Sequence, residues 1–388
     1  MPQSARRLAT LFAVLATAPF AVAQRFSFQL YGQSEGLTNL VPLCMLQDQI
    51  GFLWVGTQNG LFRYDGVRFE SFTQGLPSTR ISTMYKSPGG SLYVVTTGGL
   101  ARFSNGSFEP LRYDGPVTGR RQGLASDADG KLYMATDEGL VVLHAPELDG
   151  HANRAEVLKF SGGRDVHSVY RDPQGTFWIG CHDRLCTLKN GAVVETAPEL
   201  PKAEWTAIKA TRTGDVWVLS RFALWHRPAG QDKFKPVNAP FTPADYSILL
   251  GDPALKLTAG GDVFIPTPRG ICHWSKGQWR IIDERAGLIR SDLTAMLADR
   301  EGSLWVGIAG LGLARLLGSG EWEHWTNAEG LPHEAIWAID RDSKGTVWTG
   351  TNSGLAYAKS DREAPAAWKT QPEFASKMVL SIDRKSVV

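Results

Sequence analysis

The chain has 388 residues, of which 43% are hydrophobic and 10% aromatic, and its formal net charge is +2. This composition is typical of a well-packed globular protein. Acidic and basic residues are interspersed along the sequence, and no block of basic residues indicates a nucleic-acid partner.

The amino-terminal residues have the pattern of an export signal. Arg6 and Arg7 precede an apolar stretch at 8–20, and Ala21 and Ala23 form a small-residue cleavage site. We therefore expect residues 1–23 to be removed and the mature chain to begin at Gln24 in the periplasm. An uncleaved membrane anchor is the alternative, but the stretch is short for a bilayer, which takes about 20 apolar residues.

The sequence contains four cysteines, Cys44, Cys181, Cys186 and Cys272. Export permits disulfide formation. Cys181 and Cys186 flank a turn between two predicted strands, so a bridge that closes this hairpin is predicted, whereas Cys44 in an apolar strand is expected to be a buried free thiol. The cysteine spacing matches no zinc site, and we expect neither a metal nor a cofactor.

A glycine followed by a short strand that carries an aromatic residue recurs eight times. The glycines are Gly51, Gly90, Gly130, Gly175, Gly214, Gly261, Gly302 and Gly345, with steps of 39 to 47 residues between them. A repeat of about 40 residues built from short strands is typical of a propeller blade. We therefore predict an all-β fold, a β-propeller of four-stranded antiparallel blades.

Each repeat predicts four strands, A to D. In the first repeat they fall at 41–46, 52–57, 61–64 and 68–72, with tight turns at Asp48–Gly51 and Asp65-Gly66. The turn aspartate returns as Asp127, Asp172, Asp299 and Asp342, and its side chain is expected to bond the turn backbone. The aromatic residues of strand B are expected to fill the space between neighbouring blades.

The loops between strands B and C, and between strand D and the next strand A, share one end of the fold, which we call the loop face. Function usually resides on variable loops held by a rigid frame. Arg121 and Trp205 stand where other repeats place Ile81 or Val166. The candidate ligand-binding residues of the loop face are Arg80, Arg121, Arg164, His167, Trp205, Tyr246, Arg290, His333 and Trp337. Any single one of them could instead be a solvated loop residue.

No nucleophile elbow of the Gly-x-Ser-x-Gly type and no phosphate-binding loop is present in the sequence. We therefore predict a protein that is not an enzyme. The first alternative is a propeller lyase or hydrolase that uses His, Tyr or Glu on the loop face, with His167, His182, His333, Tyr246 or Glu204 as candidates. The second alternative is a scaffold that binds another protein.

The repeat Asp48-Gln-Ile-Gly51-Phe-Leu-Trp54-Val-Gly-Thr57-Gln-Asn-Gly60-Leu61 resembles the two-component regulator propeller repeat. The resemblance implies a periplasmic ligand-binding sensor region of a transmembrane signalling protein, whose output module and membrane span are not in this sequence. It also implies a small polar ligand, such as an oligosaccharide, membrane attachment only through a missing carboxyl-terminal part, and a parent protein that could dimerise.

The same resemblance favours seven blades over eight. The segment 26–31 looks like an isolated strand D that completes the last blade and removes an open edge. With seven blades it pairs near Leu313–Leu316, residues 24–320 form the propeller, and residues 321–388 hold the eighth repeat and the start of a truncated second propeller. With eight blades it pairs near Leu355–Tyr357. We expect the chain to be a fragment of a longer protein.

Overall fold

The computed structural model describes residues 26, 28–118, 120, 122–144, 154–220, 223–240, 255–258, 260–267, 269–289, 292–316, 325–327, 330–359 and 368–383. These residues form two compact units, 27–322 and a second one that holds 323–388. The predicted signal peptide and cleavage site lie outside the described residues. No helix among the described residues is long and apolar enough to cross a membrane.

The described strands form eight antiparallel sheets of four strands, as the repeat predicts. Strand β1 (Phe28–Tyr31) comes first and is followed by a 3-10 turn at Gln33–Glu35. The first sheet contains β2 (Pro42–Gln47), β3 (Leu53–Thr57), β4 (Gly60–Tyr64) and β5 (Phe69–Ser71). The second contains β6 (Ile81–Lys86), β7 (Leu92–Thr96), β8 (Gly99–Ser104) and β9 (Ser107–Pro110).

The third to fifth sheets repeat this order. The third contains β10 (Leu124–Ser126), β11 (Leu132–Thr136), β12 (Gly139–Leu143) and β13 (Ala155–Leu158). The fourth contains β14 (Val166–Arg171), β15 (Phe177–Cys181), β16 (Arg184–Lys189) and β17 (Ala192–Glu195). The fifth contains β18 (Trp205–Ala210), β19 (Val216–Ser220), β20 (Leu224–Arg227) and β21 (Lys235–Val237).

The sixth sheet contains β22 (Lys256–Leu257), β23 (Val263–Thr267), β24 (Gly270–Ser275) and β25 (Gln278–Ile282). The seventh contains β26 (Leu293–Ala298), β27 (Leu304–Ile308) and β28 (Gly312–Leu316), and β1 is its fourth strand. In the second unit, β29 (Ile336–Arg341), β30 (Thr346–Thr351), β31 (Gly354–Lys359) and β32 (Lys369–Thr370) form the eighth sheet, which a 3-10 turn at Pro372–Phe374 follows.

The amino-terminal strand pairs with the seventh sheet. Phe28 lies opposite Leu316 and Tyr31 lies opposite Leu313. Tyr31 is buried beside Trp305 and Tyr64, with ring centroids 5.0 and 5.4 Å from its own. This is the register expected when seven sheets close a ring and leave no open edge.

A cavity of about 230 Å³, the axial cavity, lies among the innermost strands. Each of the seven sheets of the first unit contributes to its wall. The lining residues are Leu43, Cys44 and Met45; Thr83, Met84 and Tyr85; Gln122 to Ala125; Val169, Tyr170 and Arg171; Lys209; Lys256; and Ala295 and Met296. Cys44 is partly exposed, so the predicted full burial of its thiol is wrong.

The turn aspartates fix both the A–B turn and the aromatic residue of strand B. The Asp172 carboxylate accepts hydrogen bonds from the Thr176 amide at 2.7 Å and from Trp178 Nε1 at 2.8 Å. Asp48, Asp127, Asp299 and Asp342 make the corresponding pair of contacts. The predicted turn role of the aspartate is confirmed. One carboxylate oxygen accepts from the turn backbone and the other from the aromatic residue of strand B, which explains why these two residues recur together.

The fifth and sixth sheets, which have threonine at the turn, use a different arrangement. The Thr211 hydroxyl accepts a hydrogen bond from the Asp215 amide at 3.0 Å, and the Asp215 carboxylate lies 3.0 Å from His226 Nε2. The His226 ring stacks on Trp217 with centroids 4.0 Å apart. A histidine of strand C thus takes the carboxylate contact that tryptophan makes elsewhere.

Candidate functional site

A β-bulge recurs near the loop-face end of the innermost strand of most sheets. The pairing of β14 with β15 shifts register between Val166 and Ser168, so His167 is the extra residue. The same shift occurs in the sheets that begin with β2, β6, β18, β26 and β29. A bulge re-aims the side chain of its extra residue, and such positions are common beside binding sites.

The most developed polar cluster of the loop face surrounds this bulge in the fourth sheet. One Asp165 carboxylate oxygen lies 2.7 Å from His182 Nδ1, and the other lies 3.0 Å from His167 Nε2. His182 is half exposed, whereas the His167 side chain is only 4% exposed. We call Asp165, His167 and His182 the histidine–aspartate cluster.

The carboxylate of the cluster is held in its charged form. Burial raises the pKa of Asp165, but the hydrogen bond with His182 and the charges of the two histidines outweigh it, so the net pKa is lowered. The contact with His167 has the distance of an ion pair without the geometry of a hydrogen bond. Both ring nitrogens of His167 are therefore buried without a hydrogen-bond partner among the described residues. Buried polar groups are ordinarily satisfied, so this ring is an exception, with Nε2 facing the Asp165 carboxylate and Nδ1 without a partner among the described residues.

The hairpin that presents His182 is closed covalently. Cys181 and Cys186 form a disulfide, as predicted, with Cα atoms 6.0 Å apart. His182 has a positive φ of 51° in the turn between them. A Cβ atom on Gly163 would lie 2.5 Å from His182 Cβ, so only glycine permits this packing. The bridge and the glycine fix His182 beside Asp165.

A second cluster of charges lies on the outer side of the same loop. Arg184 contacts Asp183 at 3.2 Å and Glu195 at 2.8 Å, and Lys202 lies 3.6 Å from Asp183. These four residues line a groove of about 320 Å³ together with Pro198 and Pro201. The groove adds charged groups of both signs near the histidine–aspartate cluster.

The remaining predicted site residues fall in different environments. Arg80 and Arg164 are exposed on the loop face. Trp205 is fully buried and packs in an interior cluster with Trp178, Leu185 and Ile208, so its ring does not line an open surface. Arg121, Tyr246 and Arg290 lie outside the described residues.

Two further predicted residues belong to the second unit. His333 Nδ1 accepts a hydrogen bond from the Ala335 amide at 2.9 Å. Trp337 is 56% exposed, and its Nε1 donates to Asn352 at 2.5 Å. Of the predicted set, Arg164 and His167 lie in one segment, on either side of Asp165, with Arg164 exposed and His167 buried.

Sequence reasoning did not recognise Asp165 as the centre of a cluster, although it named His167 and His182 as candidates on the loop face. The spacing Asp165-x-His167 with His182 beyond the next strand gives no motif by itself. Only the bulge and the hairpin bring the three side chains together. No group of metal-binding side chains with the geometry for an ion occurs among the described residues.

The two component regulator propeller family model matches residues 160–183, the segment that contains the cluster. This chain carries a two-component regulator propeller repeat. A turn aspartate, a strand B aromatic and a glycine-leucine pair recur together in other repeats, as Asp48, Trp54 and Gly60-Leu61 illustrate. No curated protein shows significant sequence similarity to the chain.

Several solved structures share the fold of this chain. The extracellular domain of a hybrid two component system from B. thetaiotaomicron is 18% identical with a TM-score of 0.61, and the match covers 86% of this chain and 48% of that one. A second such domain from the same organism is 21% identical with a TM-score of 0.60, over 90% and 48% of the two chains. The chain thus spans about half the length of these relatives.

A smaller propeller also matches. Virginiamycin B lyase from Staphylococcus aureus is 12% identical with a TM-score of 0.60, and the match covers 75% of this chain and 99% of the lyase. At these identities the likeness establishes the propeller fold.

Proposed function

We propose that this regulator propeller chain is the ligand-binding part of a periplasmic sensor, and that it binds its ligand without transforming it. The observation that carries the proposal is the match of the regulator propeller repeat to residues 160–183. The likeness to extracellular domains of two component systems supports the same function and an exported location.

The ligand is bound on the loop face beside the histidine–aspartate cluster. His182 is half exposed there, Arg164 is exposed next to Asp165 in the chain, and the carboxylate of Asp165 contacts the histidine at 2.7 Å. These groups offer hydrogen-bond donors and acceptors without a strong excess of one charge. They suit a polar, largely uncharged ligand such as an oligosaccharide better than an anion or a lipid.

A thermal-shift screen of oligosaccharides tests this proposal, because a ligand that binds the folded state raises the melting temperature. An oligosaccharide that raises the melting temperature of the wild type is expected to have a much smaller effect on Asp165→Asn. The matched control is Glu156→Gln, since Glu156 makes a comparable contact with His144 at 3.1 Å on the outer edge of the third sheet. An equal shift in Asp165→Asn and in the control would place the ligand elsewhere.

The location is tested separately on protein expressed with its natural amino terminus. Sequencing of exported protein is expected to begin at Gln24. An intact Met1 in a membrane fraction would contradict the predicted cleavage.

The fold of the lyase supports one other function, a propeller enzyme. A histidine held by a carboxylate, as His182 is, can act as a general base. Mass spectrometry of a bound oligosaccharide after long incubation distinguishes the two functions. Intact ligand is expected for a sensor, whereas turnover that His182→Gln abolishes would identify an enzyme.

A further inference from the structure

Two lysines occupy the same position of the repeat in neighbouring sheets. Lys209 on β18 and Lys256 on β22 each stand two residues before the turn threonine, Thr211 or Thr258. Both line the axial cavity. The other five sheets of the first unit place uncharged side chains at this position, namely Leu46, Tyr85, Ala125, Tyr170 and Leu297.

The ammonium group of Lys209 lies deep in the fold, and its side chain keeps some exposure only because it faces the cavity. Its Nζ lies 4.9 Å from the centroid of the Tyr170 ring. No Asp or Glu among the described residues forms an ion pair with it. Burial, and then repulsion by Lys256, lower the pKa of Lys209 to about 7. An ammonium buried without an anion is unfavourable because the lost hydration is not replaced.

The other described residues that line the axial cavity do not balance the charge of the Lys209 ammonium group. Arg171 also lines the axial cavity, and the described lining residues include no Asp or Glu. The two tyrosine hydroxyls of the wall already have partners, since Tyr85 bonds Ser126 and Tyr170 bonds the backbone of Ala210. The described lining residues of the axial cavity therefore include basic side chains and no acidic one.

The approach to the axial cavity from the A–B turns is basic as well. A second cavity, of about 340 Å³, shares Met45, Met84 and Tyr85 with the axial cavity and is also lined by Lys86 and Arg300. Burial, and then the charge of Arg300, lower the pKa of Lys86. A passage lined by one sign of charge concentrates ions of the opposite sign.

We propose that the axial cavity binds a small oxyanion, such as sulfate, phosphate or a carboxylate, at the ammonium group of Lys209. The anion supplies the counter-charge that Lys209 lacks among the described residues, and a space of about 230 Å³ suits a molecule of this size. The site lies on the axis and is lined by inner strands, so it is distinct from the loop-face cluster. The proposed anion site does not depend on the proposed sensor function.

The test uses sulfate, whose charge does not change near neutral pH, with chloride at equal ionic strength as the reference salt. Titration calorimetry is expected to show sulfate binding to the wild type, and thermal unfolding to show a higher melting temperature in sulfate than in chloride. Lys209→Met is expected to weaken the sulfate affinity by about tenfold or more. The matched control is Lys235→Met, an exposed lysine on the outer strand of the same sheet.

A second measurement uses only the wild type, so its result does not depend on whether a variant folds. The titratable and charged groups of the described wall are Cys44, Tyr85, Tyr170, Arg171, Lys209 and Lys256. Sulfate affinity of the wild type is expected to fall between about pH 6 and pH 9, as Lys209 loses its proton. No sulfate binding by the wild type at the lower pH, or equal affinity in Lys209→Met and Lys235→Met, would overturn the proposal.

Discussion

Tyr31 in the amino-terminal strand packs its ring 5.0 Å from that of Trp305 in the seventh sheet. Tyr31 is 5% exposed, whereas Leu30 beside it on the same strand is 45% exposed. The buried face of β1 therefore holds this strand to the seventh sheet. Substituting Tyr31 and Leu30 in turn separates the contribution of side-chain packing to stability from that of the strand itself.

Tyr31→Ala is expected to lower the free energy of unfolding by about 3 kcal/mol, because a large buried ring is lost beside Trp305 and Tyr64. Leu30→Ala is expected to change it by about 0.5 kcal/mol or less, since the leucine is already largely exposed. Urea unfolding of the full chain measures both. Equal losses in the two variants would mean that β1 contributes by backbone pairing alone.

Asp172→Ala removes three hydrogen bonds at once, including one that the Gln174 amide donates at 3.0 Å. The variant leaves the Thr176 amide and Trp178 Nε1 without their acceptor, and hydrogen bonds to a charged group contribute about 1.5–3 kcal/mol each. Trp178→Phe keeps most of the ring and loses only the Nε1 contact, so its effect is expected to be smaller. Asp129→Ala, at an exposed turn position, is the control and is expected to leave the urea midpoint unchanged. If Asp172→Ala behaves like this control, the turn aspartate is not a structural residue.

The features that recur from repeat to repeat could be predicted from the sequence, because local chemistry dictates them. The turn aspartate bonds backbone a few residues away, and the strand B aromatic fills space that each sheet leaves, so both follow from short patterns. The pairing of β1 with β28 was also predictable, because an unpaired strand of the right pattern at one end needs a partner edge.

The candidate sites were harder to predict, because they depend on where a side chain points. The bulge at His167 turns a residue of an apparently regular strand inward, and Trp205 was expected on the loop face but is buried between two sheets. The lysines of the axial cavity were missed, although a signal existed. Aligning the repeats on Thr211 and Thr258 places Lys209 and Lys256 at one position.

Acid is expected to weaken the fourth sheet through Asp165. The pKa of Asp165 is lowered from its ordinary value of 3.8, so the unfolded chain takes up this proton more readily than the folded chain. Its contribution to stability is complete above about pH 4 and is lost as pH falls through the lower folded pKa. In acid titrations followed by circular dichroism, Asp165→Asn is expected to lose less stability than the wild type over this range. Parallel curves would contradict the role of the carboxylate.

A rise in pH above about 7 is expected to increase the stability of the fold through Lys209. Its pKa is about 7 in the folded chain and 10.5 ordinarily, so between these values the unfolded chain binds more protons. The free energy of unfolding of the wild type, relative to Lys209→Met, is expected to rise with pH across this range. Urea unfolding at several pH values in chloride measures the difference, and Lys235→Met is again the control. A flat difference would mean that Lys209 keeps its proton in the fold.

We infer that the first unit is a closed ring of seven sheets, because β1 completes the seventh sheet and seven inner strands line the axial cavity. A chain that ends at residue 320 keeps both β1 and β28, so it is expected to unfold in one cooperative urea transition. A chain that ends at residue 310 lacks β28 and leaves β1 without its partner edge, so it is expected to unfold at lower urea or not to fold. The full chain, with two compact units, is expected to show a second transition. If the chain that ends at residue 320 is as unstable as the shorter one, the ring requires the eighth sheet, and the count of seven is wrong.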